Sequence, residues 1–280
     1  MSVRIVVDSG ADIENEYKDK VTVVPLTVSF KGVEYIDGVT ITHKEFYEKL
    51  IESDDLPTTS QATPMAFEEV FKEGKKAGDE LVVLTLSSKL SGTYQSAMIA
   101  AANYDNVYVV DTNLVAIGMG VLTRIAINYM EEGLDAKSIA IRLEEDKKKV
   151  RLIAMLDTLE YLKKGGRISA AAAFAGGVLS IKPVICVREG VVEILGKARG
   201  SKQGNNLLIK EIENSGGVDY SKPILLGYTG LSKHLINKYI EDSESLWKGK
   251  VDELAVTTIG SVIGTHVGPG AIAVAFISNV

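Results

Sequence analysis

Cysteine is almost absent from the sequence, and long apolar stretches are absent altogether. The 280 residues contain one cysteine, Cys186, which excludes an internal disulfide and a thiolate metal cluster. Such a chain suits a reducing compartment, and we expect it in the cytoplasm. No apolar run approaches the roughly 18 residues that a membrane-spanning helix requires, and no secretory leader precedes the first strand pattern. We therefore expect neither a membrane span nor a signal peptide.

Basic residues do not outnumber acidic ones, and this disfavours nucleic acid as a partner. The chain has 31 lysines and arginines against 37 aspartates and glutamates, a formal net charge of −6 at pH 7. Nucleic-acid-binding domains usually carry the opposite balance. Hydrophobic residues make up 46% and charged residues 24% of the chain, which is the composition of an ordinary folded protein. A chain of this length favours two domains over one.

Three motifs that would indicate an enzyme are missing as well. A phosphate-binding loop of the form G-x-x-x-x-G-K-[ST] does not occur, and no G-x-G-x-x-G follows the first strand pattern. The residues around Ser91 do not match the G-x-S-x-G nucleophile elbow. From these patterns we predict no metal site, no cofactor and no catalytic residue.

The most informative stretch that is present covers residues 81–97. An apolar, β-branched run at 81–86 predicts a strand, and a helical pattern follows at 91–103. Unpaired N–H groups at a helix start, together with hydroxyls, form a suitable site for a phosphate or a carboxylate. The alternative is that Ser91 only caps the helix. The hydroxyl-bearing residues of this turn are Ser87, Ser88, Ser91 and Thr93.

Strand and helix patterns alternate through the first half of the chain. They predict a three-layer α/β/α domain with a mainly parallel sheet over residues 1–157. Two helix starts are well marked. Thr42 and Glu45 form a capping box, and Thr63 followed by Pro64 is the usual order of an N-cap residue and a proline at the first helical position. The expected strands cover residues 3–7, 21–30, 81–86 and 107–110, the later helices 91–103, 113–132 and 137–149, and a hydroxyl-rich loop 54–62.

The second half, residues 158–280, predicts a smaller two-layer α+β domain with a mixed or antiparallel sheet. Two strand patterns are separated by Glu189 and Gly190, a hairpin signal that a parallel sheet does not need. A run of mostly small residues at 170–177 leaves room for a long apolar ligand, for which we expect a site between the two domains. The expected strands are 182–188, 191–197, 223–228, 251–257 and 271–277, and the expected helices 202–214 and 232–243.

One of the three histidines stands out. His43 lies in a capping box and His234 at a polar helix start, so we expect both to be solvated. His266 lies in a glycine-rich segment, 264–270, which we interpret as a loop between two strands, where binding and catalytic residues concentrate. A serine and a histidine together raise the hypothesis of a hydrolase that uses Ser91 and His266, although the spacing alone supplies no base-activated serine.

Six short segments form a distinctive set. They are V-V-D-S at 6–9 with Ala11 and Asp12, T-S-Q at 59–61, L-T-L-S-S-K-L-S-G-T-Y at 84–94, V-V-D-T at 109–112, K-G-G-R-I-S at 164–169 and T-H-V-G-P-G at 265–270. Together they resemble the bacterial DegV family, which includes the fatty-acid-binding subunits of bacterial fatty acid kinase, and the resemblance extends over essentially the full length. Two positions depart from the family pattern: Gly10 replaces the threonine of D-S-T, and Ala62 replaces the proline after T-S-Q.

The resemblance implies an α/β/α domain, a smaller two-layer domain and a long-chain fatty acid buried between them. Secondary candidates for the head-group site are Ser60, Ser9, Arg167 and Arg199, and the two arginines are expected near the mouth, where the family meets its kinase partner. By their positions in the motifs, the residues expected to hold the fatty acid carboxylate are Thr59, Ser91, Gly92 and His266.

The resemblance further implies a lipid-binding carrier and not an enzyme. Such a carrier presents the fatty acid carboxylate to a separate ATP-dependent fatty acid kinase subunit, which forms acyl phosphate for phospholipid metabolism. A stand-alone enzyme stays open as the alternative. It would be an acyl hydrolase or a dihydroxyacetone-kinase-like phosphotransferase that uses Ser91 and His266, since the family's two-domain fold resembles that of the second class.

Overall fold

The computed structural model describes residues 2–53, 55–169 and 181–280. The run of small residues at 170–177, from which we predicted room for an apolar ligand, lies outside the described residues. A 3-10 helix occupies Asn15–Lys20. The described strands are β1 (Val3–Asp8), β2 (Val21–Val24), β3 (Thr27–Phe30), β4 (Val33–Ile36), β5 (Thr58–Ser60), β6 (Glu80–Thr85), β7 (Val107–Asp111), β8 (Val150–Met155), β9 (Ile181–Arg188), β10 (Val191–Arg199), β11 (Leu225–Tyr228), β12 (Ala255–Thr258) and β13 (Ile272–Ile277). The described α-helices are α1 (His43–Glu52), α2 (Pro64–Ala77), α3 (Thr93–Ala101), α4 (Ala116–Glu131), α5 (Ala136–Asp146), α6 (Glu160–Lys164), α7 (Gly200–Asn214), α8 (His234–Asp242), α9 (Glu244–Trp247) and α10 (Ser261–Val267).

The first sheet is parallel, as the alternation of strand and helix patterns predicts. Its strands stand in the order β2-β1-β6-β7, and every neighbouring pair runs parallel. Helices α2 and α3 pack together, α4 and α5 pack together, and both pairs contact the sheet. Because helices cover this parallel sheet, β1 and β6 are buried along most of their length. Strands buried in this way have continuous apolar sequences.

The second sheet has six strands in the order β10-β9-β8-β13-β11-β12 and is mixed, which confirms the predicted sheet type. Only β11 and β12 run parallel among its pairs. The hairpin between β9 and β10 is confirmed, with Glu189 at φ +47° and Gly190 at φ +81°, the left-handed angles that a tight two-residue turn requires. Strand β8 lies before residue 157 and pairs within this sheet. The domain boundary after residue 157 stays a prediction.

A third, three-stranded sheet corrects two expectations. The single strand expected at 21–30 is wrong, because β2 and β3 are separate strands that join different sheets. The strand is interrupted at Pro25, which has no N–H to donate to a neighbouring strand. The loop expected at 54–62 contains β5, whose Thr59 pairs with Val28 of β3. The Thr42 capping box and the Thr63 cap are both present as predicted.

The segment expected as a glycine-rich loop, 264–270, is also corrected. Residues Ser261–Val267 form α10, which ends at Gly268 with φ +72°. His266 therefore lies in the last turn of a helix and not in a loop. The glycines at 268 and 270 terminate the helix and lead into β13, so the glycine signal marked a helix end.

The two larger sheets share one helix and one apolar core. Helix α4 contacts β1 of the first sheet and β8, β11 and β13 of the second. A second, separate apolar cluster fills the other face of the six-stranded sheet, under α7 and α8. Among the described residues, no helix combines the length and apolar character needed to cross a membrane.

Candidate functional site

A cavity of about 360 Å³ lies where the carboxyl ends of β5 and β6 meet one face of the second sheet. The carboxyl edge of a parallel sheet is the usual place for ligands in such folds, and the volume falls within the range of small-molecule sites. Most of the described lining is apolar: Leu26, Leu86, Leu90, Val115, Ala116, Leu152, Ala154, Leu156, Leu162, Ile185, Cys186, Val187, Val192, Ile259, Val262, Ile263, Val267, Ala271 and Ala273.

Strands β8 and β13 provide one wall of this cavity. Leu152, Ala154 and Leu156 line it because alternate residues of a strand face the same side. On the neighbouring strand Ala273 stands opposite Ala154. Two alanines side by side leave open space over the sheet, where leucines would fill it.

The polar groups of the cavity are concentrated at one end, which we call the polar end. Four chain segments contribute to it: β5 and the residue after it, the start of α3, the segment after α6, and α10. All four residues predicted to hold a carboxylate line the cavity, and so do two of the secondary candidates. The residues of the polar end are Thr59, Ser60, Gln61, Ser91, Gly92, Arg167 and His266.

His266 is fixed between two neighbours. Its Nε2 lies 2.9 Å from Thr59 Oγ1, at hydrogen-bond distance. Its Nδ1 faces Gly165, where an added Cβ would come within 2.4 Å, so a glycine is needed for this close approach. Burial, and next the nearby Arg167 guanidinium, lowers the pKa of His266 to about 4. The imidazole is therefore uncharged at neutral pH.

Ser91 lies at the N-terminus of α3. Its Oγ is 2.9 Å from Thr93 Oγ1 and accepts a hydrogen bond from the Thr93 N–H at 3.3 Å. The helix begins at Thr93 with Gly92 as its cap residue, two residues later than predicted. Gln61 packs across Gly92 and donates from Nε2 to Ser96 Oγ. Because Ser91 and Gly92 line the cavity, the positive dipole end of α3 lies at the polar end.

Arg167 ties two segments of the polar end together. Its Nε donates to the Leu90 carbonyl at 3.2 Å, and its Nη1 donates to the Gly165 carbonyl at 2.6 Å. Among the described residues that line the cavity, Arg167 is the one with a charged side chain at neutral pH. It gives the polar end a positive charge without a lysine.

Two secondary candidates are not brought to the cavity. Ser9 Oγ accepts a hydrogen bond from the Leu26 N–H at 3.0 Å and so stabilises the chain between β2 and β3. Arg199 is exposed at the end of β10, outside the lining. Ser87 is buried and donates to the Gly190 carbonyl at 2.7 Å, which links the first sheet to the β9–β10 hairpin.

Comparison with known proteins places the whole chain in one family. A family model described as an uncharacterised protein of the DegV family matches residues 2–279. The chain belongs to the DegV family. A DegV domain-containing protein of Caldanaerobacter subterraneus subsp. tengcongensis is 34% identical over 280 residues, which covers 98% of each chain.

Two solved structures resemble this DegV chain closely. A DegV family protein from Thermus thermophilus, reported for its fatty acid binding, superposes with a TM-score of 0.87 at 34% identity, over 99% of this chain and 100% of that one. A stearic-acid-binding protein from Eubacterium ventriosum superposes with a TM-score of 0.88 at 30% identity, over 99% and 98%. DegV proteins of this fold thus include fatty-acid-binding proteins.

Buried carboxylates near the polar end of the DegV chain were missed by sequence reasoning. Asp8 accepts from the Gly10 N–H at 2.8 Å and the Leu86 N–H at 2.7 Å, and burial raises its pKa to about 7. It therefore joins the carboxyl ends of β1 and β6. The signal was the D-S-G-A-D segment directly after the first strand, which the sequence analysis used only as a family motif.

The start of α10, the helix that carries His266, is held by two further carboxylates. Asp12 accepts from the Gly260 N–H at 2.7 Å, and Asp37 accepts from the Ser261 hydroxyl. Tyr47 donates to the Ile259 carbonyl at 2.8 Å. In the part of the chain that the structure describes, no three His, Cys, Asp or Glu side chains converge as metal ligands.

Proposed function

We propose that this DegV-family chain binds a long-chain fatty acid, with the carboxylate at the polar end and the tail along the apolar part of the cavity. The observation that carries the proposal is a cavity whose polar lining residues, among those that the structure describes, lie together at one end. The fatty acid binding of the Thermus protein and the stearic acid binding of the Eubacterium protein, both at or above 30% identity, support it.

The apolar lining accounts for most of the expected affinity. Burying an acyl tail contributes about 0.8 kcal/mol per methylene, so a tail of roughly 15 carbons contributes on the order of 12 kcal/mol before the cost of ordering it. Each charge-assisted hydrogen bond to the carboxylate contributes roughly 1.5–3 kcal/mol. The tail therefore provides affinity, and the head group provides orientation.

Thr59 and His266 form a donor pair suited to a carboxylate. When Nε2 of the neutral imidazole donates to Thr59 Oγ1, the Thr59 hydroxyl proton is free to donate to the ligand. Ser91 and the N–H groups at the start of α3 supply further donors. Arg167 adds a positive charge close by. A carboxylate is favoured over a neutral head group because every one of these groups donates.

The same contacts favour a carrier over an enzyme. A hydrolase needs a base bonded to its serine, yet Nε2 of His266 bonds Thr59, and Ser91 bonds Thr93. His266 Nδ1 has no hydrogen-bond partner among the described residues, so no carboxylate orients the ring. A pKa near 4 also makes this imidazole a weak base at neutral pH.

The proposal extends to a kinase partner in the cytoplasm. Ser60 and Gln61, at the polar end, are exposed, whereas most apolar residues of the lining are buried. A bound carboxylate would therefore lie near the surface, within reach of a separate ATP-dependent fatty acid kinase. That kinase would transfer the γ-phosphoryl group of ATP to the carboxylate and release ADP, and the acyl phosphate would then donate its acyl group to phospholipid synthesis. A separate kinase is needed because this sequence carries no phosphate-binding loop.

Comparing an acid with its alcohol tests the proposal. Lipid-stripped protein is titrated calorimetrically with palmitate and with hexadecanol, which share one tail. We expect palmitate to bind at least about tenfold more tightly, as one or two charge-assisted hydrogen bonds require. Equal affinities would contradict a carboxylate site. Acyl phosphate formation from ATP by this chain alone, without a kinase, would contradict the carrier role.

A further inference from the structure

A second depression adjoins the cavity. It has a volume of about 640 Å³, opens on the surface beside the β9–β10 hairpin, and is called the outer cleft below. It shares three lining residues with the cavity: Leu152, Cys186 and Val187. None of the polar-end residues is among the described residues that line the outer cleft.

The shared residues lie at the end of the cavity away from the polar end. The polar end adjoins Leu156. From Leu156 the chain continues into α6, which the Arg167 segment follows. Helix α10, which carries His266, leads into β13, whose first residue pairs with Met155. Leu152 lies further along β8, roughly 13 Å away for a step of about four residues. The tail of a bound fatty acid would therefore point at Leu152 and the outer cleft.

The ladder of pairs between strands β8 and β9 ends at this point. They pair from Met155–Val184 to Ile153–Cys186, and the next positions, Leu152 and Val187, form no pair although both strands are described and continue beyond them. On their other sides β8 stays paired with β13, and β9 stays paired with β10. We call this unpaired stretch between the two strands the seam, and its residues line both the cavity and the outer cleft.

The outer cleft suits a hydrocarbon end better than an anionic group. Its lining includes the apolar side chains of Leu114, Ile153 and Leu195 beside the three shared residues. Its basic residues are already engaged. Three of them have acidic partners, Lys147 with Glu144 at 2.7 Å, Lys148 with Glu145 at 2.8 Å and Arg188 with Glu193 at 3.1 Å, and Arg151 donates to the Lys148 and Val150 carbonyls. The charged rim stays hydrated, while the floor offers apolar surface.

We infer that the methyl end of a long acyl chain passes through the β8–β9 seam into the outer cleft, so that Leu152 and Val187 set the acyl length that the protein accepts. This inference rests on the proposed function and specifies which fatty acids the protein accepts. Saturated acids that are longer than the cavity should still bind. A closed cavity would instead reject each acid beyond a fixed length.

A plug at the seam tests this inference. Affinities of lipid-stripped protein are measured for saturated acids of 14, 18 and 22 carbons. We expect the wild type to bind the 22-carbon acid within about threefold of the 18-carbon acid. Val187→Trp should keep the affinity for the 14-carbon acid within about threefold and weaken the 22-carbon acid by roughly tenfold or more. Val191→Trp, at an exposed position of the same hairpin, is the matched control and should leave all three affinities unchanged.

Cys186 gives a second readout in the wild type that does not depend on any variant folding. It is the one cysteine of the chain and lies at the seam, so alkylation by iodoacetamide is read at one site by intact mass. A bound 22-carbon acid should slow alkylation more than a bound 14-carbon acid. Equal rates, or a wild type that loses the 22-carbon acid as sharply as Val187→Trp does, would overturn the inference. A wild type that binds none of the acids contradicts the proposed function itself and this inference with it.

Discussion

The two ends of the cavity are built in different ways. The polar end consists of a few side chains from four segments that contact one another directionally, as Thr59 contacts His266 and Arg167 contacts the Leu90 carbonyl. The tail end consists of apolar side chains on strands β8, β9 and β13, without directional contacts. Affinity and orientation are therefore separable in this protein, and substitutions at the two ends should have different effects.

Filling the tail end should have the largest effect. Ala154 and Ala273 stand side by side and keep the space over the sheet open. Ala154→Phe would place a ring where we propose that the tail lies, so we expect palmitate affinity to fall by more than about a hundredfold, roughly 3 kcal/mol. Ala77→Phe adds the same ring at an exposed helix end and serves as the control. Unchanged affinity in a folded Ala154→Phe variant would mean that the tail lies elsewhere.

Removing one donor at the polar end should have a smaller effect on binding. Ser91→Ala or Thr59→Ala should weaken palmitate binding by about ten- to a hundredfold without abolishing it, because the tail still binds. Ser88→Ala and Thr58→Ala change exposed neighbours outside the lining and should bind normally.

Phosphoryl transfer to the bound acid should decrease more than binding does in these polar-end variants and in His266→Ala. A head group that is free to swing loses the orientation that phosphoryl transfer requires. Kinase-dependent acyl phosphate formation should therefore fall by a larger factor than affinity does. Variants that bind and transfer normally would show that the carboxylate lies outside the Thr59, Ser91 and His266 group.

Changing the pH should have the smallest effect on binding. Because burial and Arg167 lower the pKa of His266 to about 4, its charge is the same at pH 6 and pH 8. Palmitate affinity should then change by less than about threefold over that range. NMR titration of the His266 ring should give a midpoint near pH 4, and a midpoint near 6.5 would contradict the buried, neutral imidazole.

The same shift gives His266 a pH-dependent contribution to folding stability. The folded-state pKa lies below the unfolded value of about 6.5, so the folded state binds fewer protons between pH 4 and 6.5. The contribution is fully present above pH 6.5 and is lost as the pH falls towards 4, up to about 3 kcal/mol. Denaturant unfolding at several pH values should show a shallower decline for His266→Gln than for the wild type.

The polar end could be predicted from the sequence because its residues stand in short motifs. Ser91 follows a strand and precedes a helix, which is local chemistry that suits an anion, whereas Thr59 was assigned from the T-S-Q motif of the family. Their meeting with His266, more than 170 residues along the chain, came from the family resemblance and not from spacing. Periodicity also misplaced His266 in a loop, since one short helix between glycines leaves too few residues for a period.

The tail end could not be predicted in the same way. Its lining comes from residues as distant along the chain as Leu152 and Ala273, and each of them looks like an ordinary core residue in the sequence. Whether an apolar side chain faces a cavity or a neighbour depends on how two sheets pack, which no local pattern records. The seam between β8 and β9 is likewise a matter of pairing between strands that lie about 30 residues apart.

The most direct test of the central claim is mass spectrometry of an organic extract from the purified protein. Protein produced in a bacterial host, with no lipid added, should release a long-chain fatty acid, and folded Ala154→Phe prepared in parallel should release far less. A wild-type sample that is folded, yields an extract without fatty acid, and fails to take up added palmitate would contradict the account.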